Sequence, residues 1–128
     1  MTNNSYSSLE TRMKELSRQL IQKDKDLEKE VDHIMTADFD ALDAEIESDK
    51  ENLREGVRQR VEAVKKGIKE RKDELKQKVE EIKKGSKDRA RKEAEASLNR
   101  MEEHLSNEDL VSAYVSCWVA NQWLKASK

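Results

Sequence analysis

Residues 42–79 read LDAEIESDKENLREGVRQRVEAVKKGIKERKDELKQKV. Leu42, Leu53, Val64 and Leu75 recur every 11 positions, and Ile46, Val57, Ile68 and Val79 follow each of them by four. Eleven residues make three turns at ~3.67 residues per turn, so both sets stay on one side of a helix that is nearly straight or wound slightly to the right. The same register runs outward through Leu9, Leu20 and Val31 at the first position and Met13, Met35 and Met101 at the fifth. It fails at Asp24, Ser86 and Ser97. Heptad spacing also fits Leu9, Met13, Leu16, Leu20, Leu27, Val31 and Ile34, so the N-terminal third is expected to pack in heptads and the middle in elevens. The stripe is narrow, as in a coiled-coil seam.

Composition narrows the fold to all-α. The 128 residues include no proline, three glycines and one cysteine; 42% are charged, 34% hydrophobic and 4% aromatic. The turn residues of a sandwich or barrel are missing, as are the glycine loops of a Rossmann or P-loop fold. One cysteine forms neither an intramolecular disulfide nor a cysteine zinc site, and His33 and His104 lie far apart in the chain. No nucleophile stands beside a base, so no catalytic, metal or cofactor site and no small-molecule substrate is expected. Residues 40–113 hold no aromatic, and so narrow a stripe is not expected to build a conventional core alone; the chain is expected to pair with itself or with a partner.

The expected organisation is a disordered segment over 1–7, a long helix or helical hairpin with 11-residue repeats over 8–105, and a short apolar helix over 107–126. Ser7 with Glu10 matches a capping box. Thr36 or Asp38 would cap a restart, giving a bend near 36–40, and Gly85-Ser86 is a second stop-and-restart signal. Ser106, followed by Glu108 and Asp109, reads as the start of the last helix. Gly56 and Gly67 share a repeat position, where they either admit a second backbone at close range or are tolerated at a cost of about 1 kcal/mol each.

Charge is divided along the chain: residues 1–49 carry net −7, residues 50–100 net +7 and residues 101–128 net −2. The acidic third is expected to lie antiparallel on the basic middle, within one chain or across a homodimer. Nucleic acid is an unlikely partner, because the basic residues are interleaved with acids and no aromatic is at hand for base stacking.

The C-terminal segment LVSAYVSCWVANQWLKASK, from Leu110, holds three of the five aromatics and is apolar almost all round. Such a helix is buried in protein or membrane. Leu110 to Leu124 spans about 22 Å, short of a ~30 Å hydrocarbon core. Leu110, Tyr114, Val115, Trp118, Trp123 and Leu124 are therefore expected to form a specific contact helix, with the long repeat as spacer; the plainer alternative is that the helix packs back on the chain's own long helices. Met1–Glu10 has no signal-peptide pattern, and the lone cysteine fits a reducing compartment, so an intracellular, cytoplasmic setting is expected.

The amphipathic 11-residue repeat over 42–107 resembles that of exchangeable apolipoproteins and synucleins. The resemblance implies reversible binding to an anionic lipid surface. Lys65, Lys69, Lys72, Lys76 and Lys83 would meet headgroups, and Trp118 and Trp123 would insert at the interface. The first expectation from the residues themselves is a non-enzymatic structural or adaptor protein. It would act by self-association or with a helical partner through the seam Leu42, Ile46, Leu53, Val57, Val64, Ile68, Leu75 and Val79.

Overall fold

The computed structural model describes residues 5–48, 53–83, 85 and 87–128, and every element among them is helical. The helices are α1 (Tyr6–Lys23), α2 (Lys25–Met35), α3 (Phe39–Glu47), α4 (Glu55–Lys83), α5 (Lys87–Ser106) and α6 (Leu110–Ala126). The region expected as one long helix or hairpin is thus divided into five helices. Most of the breaks are made by polar side chains that satisfy backbone N–H groups.

Ser5 caps α1, its hydroxyl accepting from the Ser8 N–H at 3.3 Å, so the helix starts ahead of Ser7. Residues 5–7 are accordingly a cap and a first turn rather than a disordered tail, and residues 1–4 lie outside the described residues. Asp24 ends α1 and begins α2. Its backbone leaves the helical region (φ −150°, ψ 80°), its N–H still donates to the Leu20 carbonyl, and its carboxylate accepts from the Leu27 N–H. This is the residue at which the hydrophobic register failed. Asp38 caps α3 by accepting from the Ala41 N–H at 2.9 Å, which realises the bend near 36–40 as a true break. Gly85 donates to the Ile82 carbonyl after α4 ends; Ser86 and residues 49–52 lie outside the described residues.

The α5–α6 turn corrects the expected cap at Ser106. Ser106 is the last residue of α5, Glu108 takes a left-handed conformation (φ 61°), and the Asp109 N–H reaches back to the His104 carbonyl at 2.9 Å. That is a Schellman ending with a glutamate in the position glycine usually fills. Asp109, accepting from the Ser112 N–H, is the cap of α6.

The stripe over 42–79 is shared between two helices. Leu42 and Ile46 lie on α3, Leu53 precedes α4, and Val57 onward lies on α4. Periodicity specifies which side of a segment faces inward; it does not require the backbone between segments to be continuous.

Helix α6 is the axis of the bundle and packs against α5, α4 and α1, while α2 and α3 cover α4. Eleven of its 17 residues are buried. Its most extensive neighbour, α5, turns Ala90, Ala94, Ser97 and Leu98 inward, the first three small enough for the two helices to approach closely. Trp118 is fully enclosed and takes the Phe39 ring edge-on at 6.0 Å. Gly67 is a point of close approach. A Cβ there would stand 2.7 Å from Val115 Cγ2, whereas one at Gly56 would meet only the Arg60 guanidinium at 3.8 Å.

The acidic and basic parts of the sequence meet within one chain. Asp24 pairs with Arg60 (2.9 Å), Asp26 with Arg54 (2.7 Å) and Asp43 with Lys72, and the Lys65 ammonium donates to the Ser48 carbonyl. Exposed pairs of this kind contribute about 0–1 kcal/mol each. The Asp24–Arg60 pair is more enclosed, the Asp24 side chain being only 10% exposed.

Candidate functional site

Helices α4 and α5 are joined through Gly85 and lean on the same side of α6 without closing over it. The reason is in their facing residues. The narrow stripe of α4 turns down into the core, so the positions flanking the gap are long and charged: Glu70, Arg71, Glu74 and Lys78 on α4, Arg89, Glu93 and Arg100 on α5. Such side chains lay their stems along the walls and keep their heads in water, and so they do not zip two helices together.

A groove remains. It consists of three adjoining cavities of about 370, 150 and 300 Å³. Arg71 borders the first and second, and Lys78, Glu93 and Trp123 border the second and third, so neighbouring cavities share walls. Together they lie along α4 from Ala63 to Ile82, about 28 Å at 1.5 Å per residue. On α6 they are bordered by Val111, Val115, Val119 and Trp123, each four positions after the last, and by Ser112 and Ser116. Val111 and Val119 are half-buried, and Val115 and Trp123 are buried.

The residues expected to act are placed as follows. Leu42, Ile46, Val57, Val64, Ile68, Leu75 and Val79 are buried in the chain's own core, and Leu53 is half-buried at its edge. The expectation that the chain builds no core alone is corrected: the stripe packs on other helices of the same chain, because the apolar α6 supplies the aromatic and aliphatic surface that the repeats lack. Tyr114, Val115, Trp118, Trp123 and Leu124 are likewise buried, with Leu110 half-buried at the start of α6. Val115 and Trp123 reach the groove; Tyr114 and Trp118 do not border it. Val111 and Val119 were not singled out as contact residues, although the i, i+4 series 111, 115, 119, 123 would have marked them. Of the lysines expected to meet lipid, Lys65 is buried on the Ser48 carbonyl, Lys72 is engaged by Asp43, and Lys69 and Lys76 are exposed; the Lys83 side chain lies outside the described residues.

The buried polar groups near α6 are structural. Burial pushes the Cys117 thiol up to about 11, partly offset by the Ser17 hydroxyl at 3.6 Å, so it stays protonated and non-nucleophilic at neutral pH. Burial, and then the charges of Asp24 and Glu28, hold Tyr114 in its neutral form, and its hydroxyl donates to the Asp24 carbonyl at 3.2 Å. Among the described residues no group of His, Cys, Asp and Glu is arranged to hold a metal ion, and no helix is long and apolar enough to cross a membrane. Comparison with protein-family models, with curated proteins and with solved structures returns no match.

Proposed function

We propose that the chain is a non-enzymatic adaptor that works through helix–helix association, with the groove between α4 and α5 receiving an amphipathic helix of a partner protein. The observation that carries this reading is the apolar line Val111, Val115, Val119 and Trp123, about 18 Å long, whose half-buried members Val111 and Val119 face the gap between charged walls. An amphipathic helix of about three to four turns has that length and presents its own apolar residues at the same spacing. Walls of both signs suit a partner with mixed-charge flanks, which also sets its direction and register. In this reading the 11-residue stripe is an intramolecular, coiled-coil-like seam, and the apolar C-terminal helix both closes the core and presents the contact face. An intracellular setting suits the single free thiol, Cys117.

A second copy is a poor occupant. Among the described residues the apolar side chains that reach full exposure are alanines, Ala41, Ala44 and Ala63, so the chain offers no outward ridge to fill its own groove. A photo-crosslinking residue placed at Val119, with the same residue at Ala44 on the far face of α3 as control, tests the reading in cells. Crosslinks from position 119 into a helical segment of another protein, absent from position 44, are expected. Crosslinks only between copies, or equal yields at both positions, would overturn it.

The exposed Lys66, Lys69 and Lys76 on α4 favour, as a second reading, reversible lipid-surface binding of apolipoprotein-like style. That reading requires α4 to leave α6 and expose Trp118 and Trp123. Anionic vesicles would then change tryptophan emission and helix content together. An adaptor that keeps its fold changes neither.

A further inference from the structure

On the side of α6 turned away from the groove lies a separate cavity of about 150 Å³ between α1, α2 and α6. Its walls carry Leu20 and Ile21 from α1, Met35 from α2 and Cys117 from α6, with the hydroxyl-bearing Ser17 and Tyr114 beside them. Its charged groups are two carboxylates, Glu28 and Asp32, one turn apart on α2. Neither makes a hydrogen bond or ion pair through its carboxylate among the described residues; Glu28 is half-buried and Asp32 is exposed. Of the cations on these helices and on α4, Arg18 faces Glu15, Arg60 is held by Asp24, and Lys25 and Lys29 are exposed.

Two like charges one turn apart repel each other, and a half-buried carboxylate without a counterion is a standing cost. The negative field reaches into the cavity, since the charge of Glu28 helps to keep the Tyr114 phenol neutral. A carboxylate ligand would be repelled there, and a neutral apolar ligand would leave the half-buried charge of Glu28 uncompensated.

We propose that this cavity is a binding site for a primary alkylammonium group, its alkyl stem against Leu20, Ile21, Met35 and Cys117 and its ammonium between Glu28 and Asp32. The volume holds a stem of about four to six carbons, at roughly 30 Å³ for each water-sized group. A free alkylamine and a lysine side chain of a docked protein share this chemistry. The site is independent of the α4–α5 groove, so either reading can fail alone.

The test is a titration of the full chain, ¹⁵N-labelled, with hexylammonium, with hexanoate, and with a short peptide carrying one lysine. Saturable amide shifts at Ile21, Glu28, Asp32 and Cys117 from hexylammonium, with none from hexanoate, are expected. Glu28→Gln and Asp32→Asn should each weaken that binding about tenfold by removing one charge-assisted contact, while circular dichroism shows the helices unchanged. Tighter binding of the peptide assigns the site to a protein lysine, and tighter binding of hexylammonium assigns it to a free amine. No shift from either amine, equal shifts from hexanoate, or full retention of binding in both variants would overturn the proposal.

Discussion

Gly56 and Gly67 occupy one position of the 11-residue register, yet their surroundings separate them. Gly67 lies under Val115, and a Cβ at 2.7 Å must displace that branched, buried side chain, whereas Gly56 faces open space and a flexible arginine. Gly67→Ala is expected to destabilise the fold by about 1–3 kcal/mol through overpacking, and Gly56→Ala to stabilise it by up to about 1 kcal/mol through helix propensity. Thermal and urea melts of the two variants should move in opposite directions. Cys117 makes a second prediction at this scale. Its folded pKa of about 11 stands above the ordinary 9.0, so its contribution is fully present below pH 9 and is lost as pH rises through 11. Stability is therefore expected to fall between pH 9 and 11, and Cys117→Ala should flatten that part of the curve measured by urea midpoints.

The elements are delimited by side chains that the hydrophobic pattern treats as interruptions. Asp24 caps α2, donates its N–H to the Leu20 carbonyl of α1, pairs with Arg60 of α4 and accepts from Tyr114 of α6 at its carbonyl. Asp24→Ala removes the cap and the anion that faces Arg60, whose side chain is 39% exposed. We expect a loss of roughly 1–2 kcal/mol, the cap alone accounting for about 1. Arg60→Ala should cost less than Asp24→Ala, because the cap survives, and chemical denaturation of both variants checks the order. The helical state was legible in the sequence; the break near 36–40 and the stop around Gly85 have local chemical signals, but the pattern of an uninterrupted helix competed with both. The division at Asp24 was visible only as a failed repeat position. The cap shift from Ser106 to Asp109 was hidden, because it depends on Glu108 accepting a left-handed conformation so that α6 can fold back along α5.

At the scale of the molecule, α6 is the common partner of α1, α4 and α5, and Trp118 at its centre is fully enclosed. Burial of a large side chain is worth about 1.5–3 kcal/mol, and α6 supplies more of them per turn than any repeat segment. A chain truncated after Ser106 is therefore expected to lose cooperative unfolding and bind a hydrophobic dye, as judged by calorimetry and dye fluorescence. Persistence of a sharp transition in the truncated chain would show that the remaining helices close their own core. From the sequence alone follow the all-helical class, the inward side of each helix, the opposed charge of the two parts, and the need of the C-terminal segment for cover. These depend on helical periodicity, on charge and on caps, all of which act over a few residues. The tertiary structure alone decided that one stripe is shared by α3 and α4, that the cover for α6 comes in cis, and that a groove is left beside the half-buried Val111 and Val119. Those outcomes depend on which apolar surfaces meet across tens of residues. Periodicity names a face that must be buried, but burial carries no direction by which the face could name what buries it.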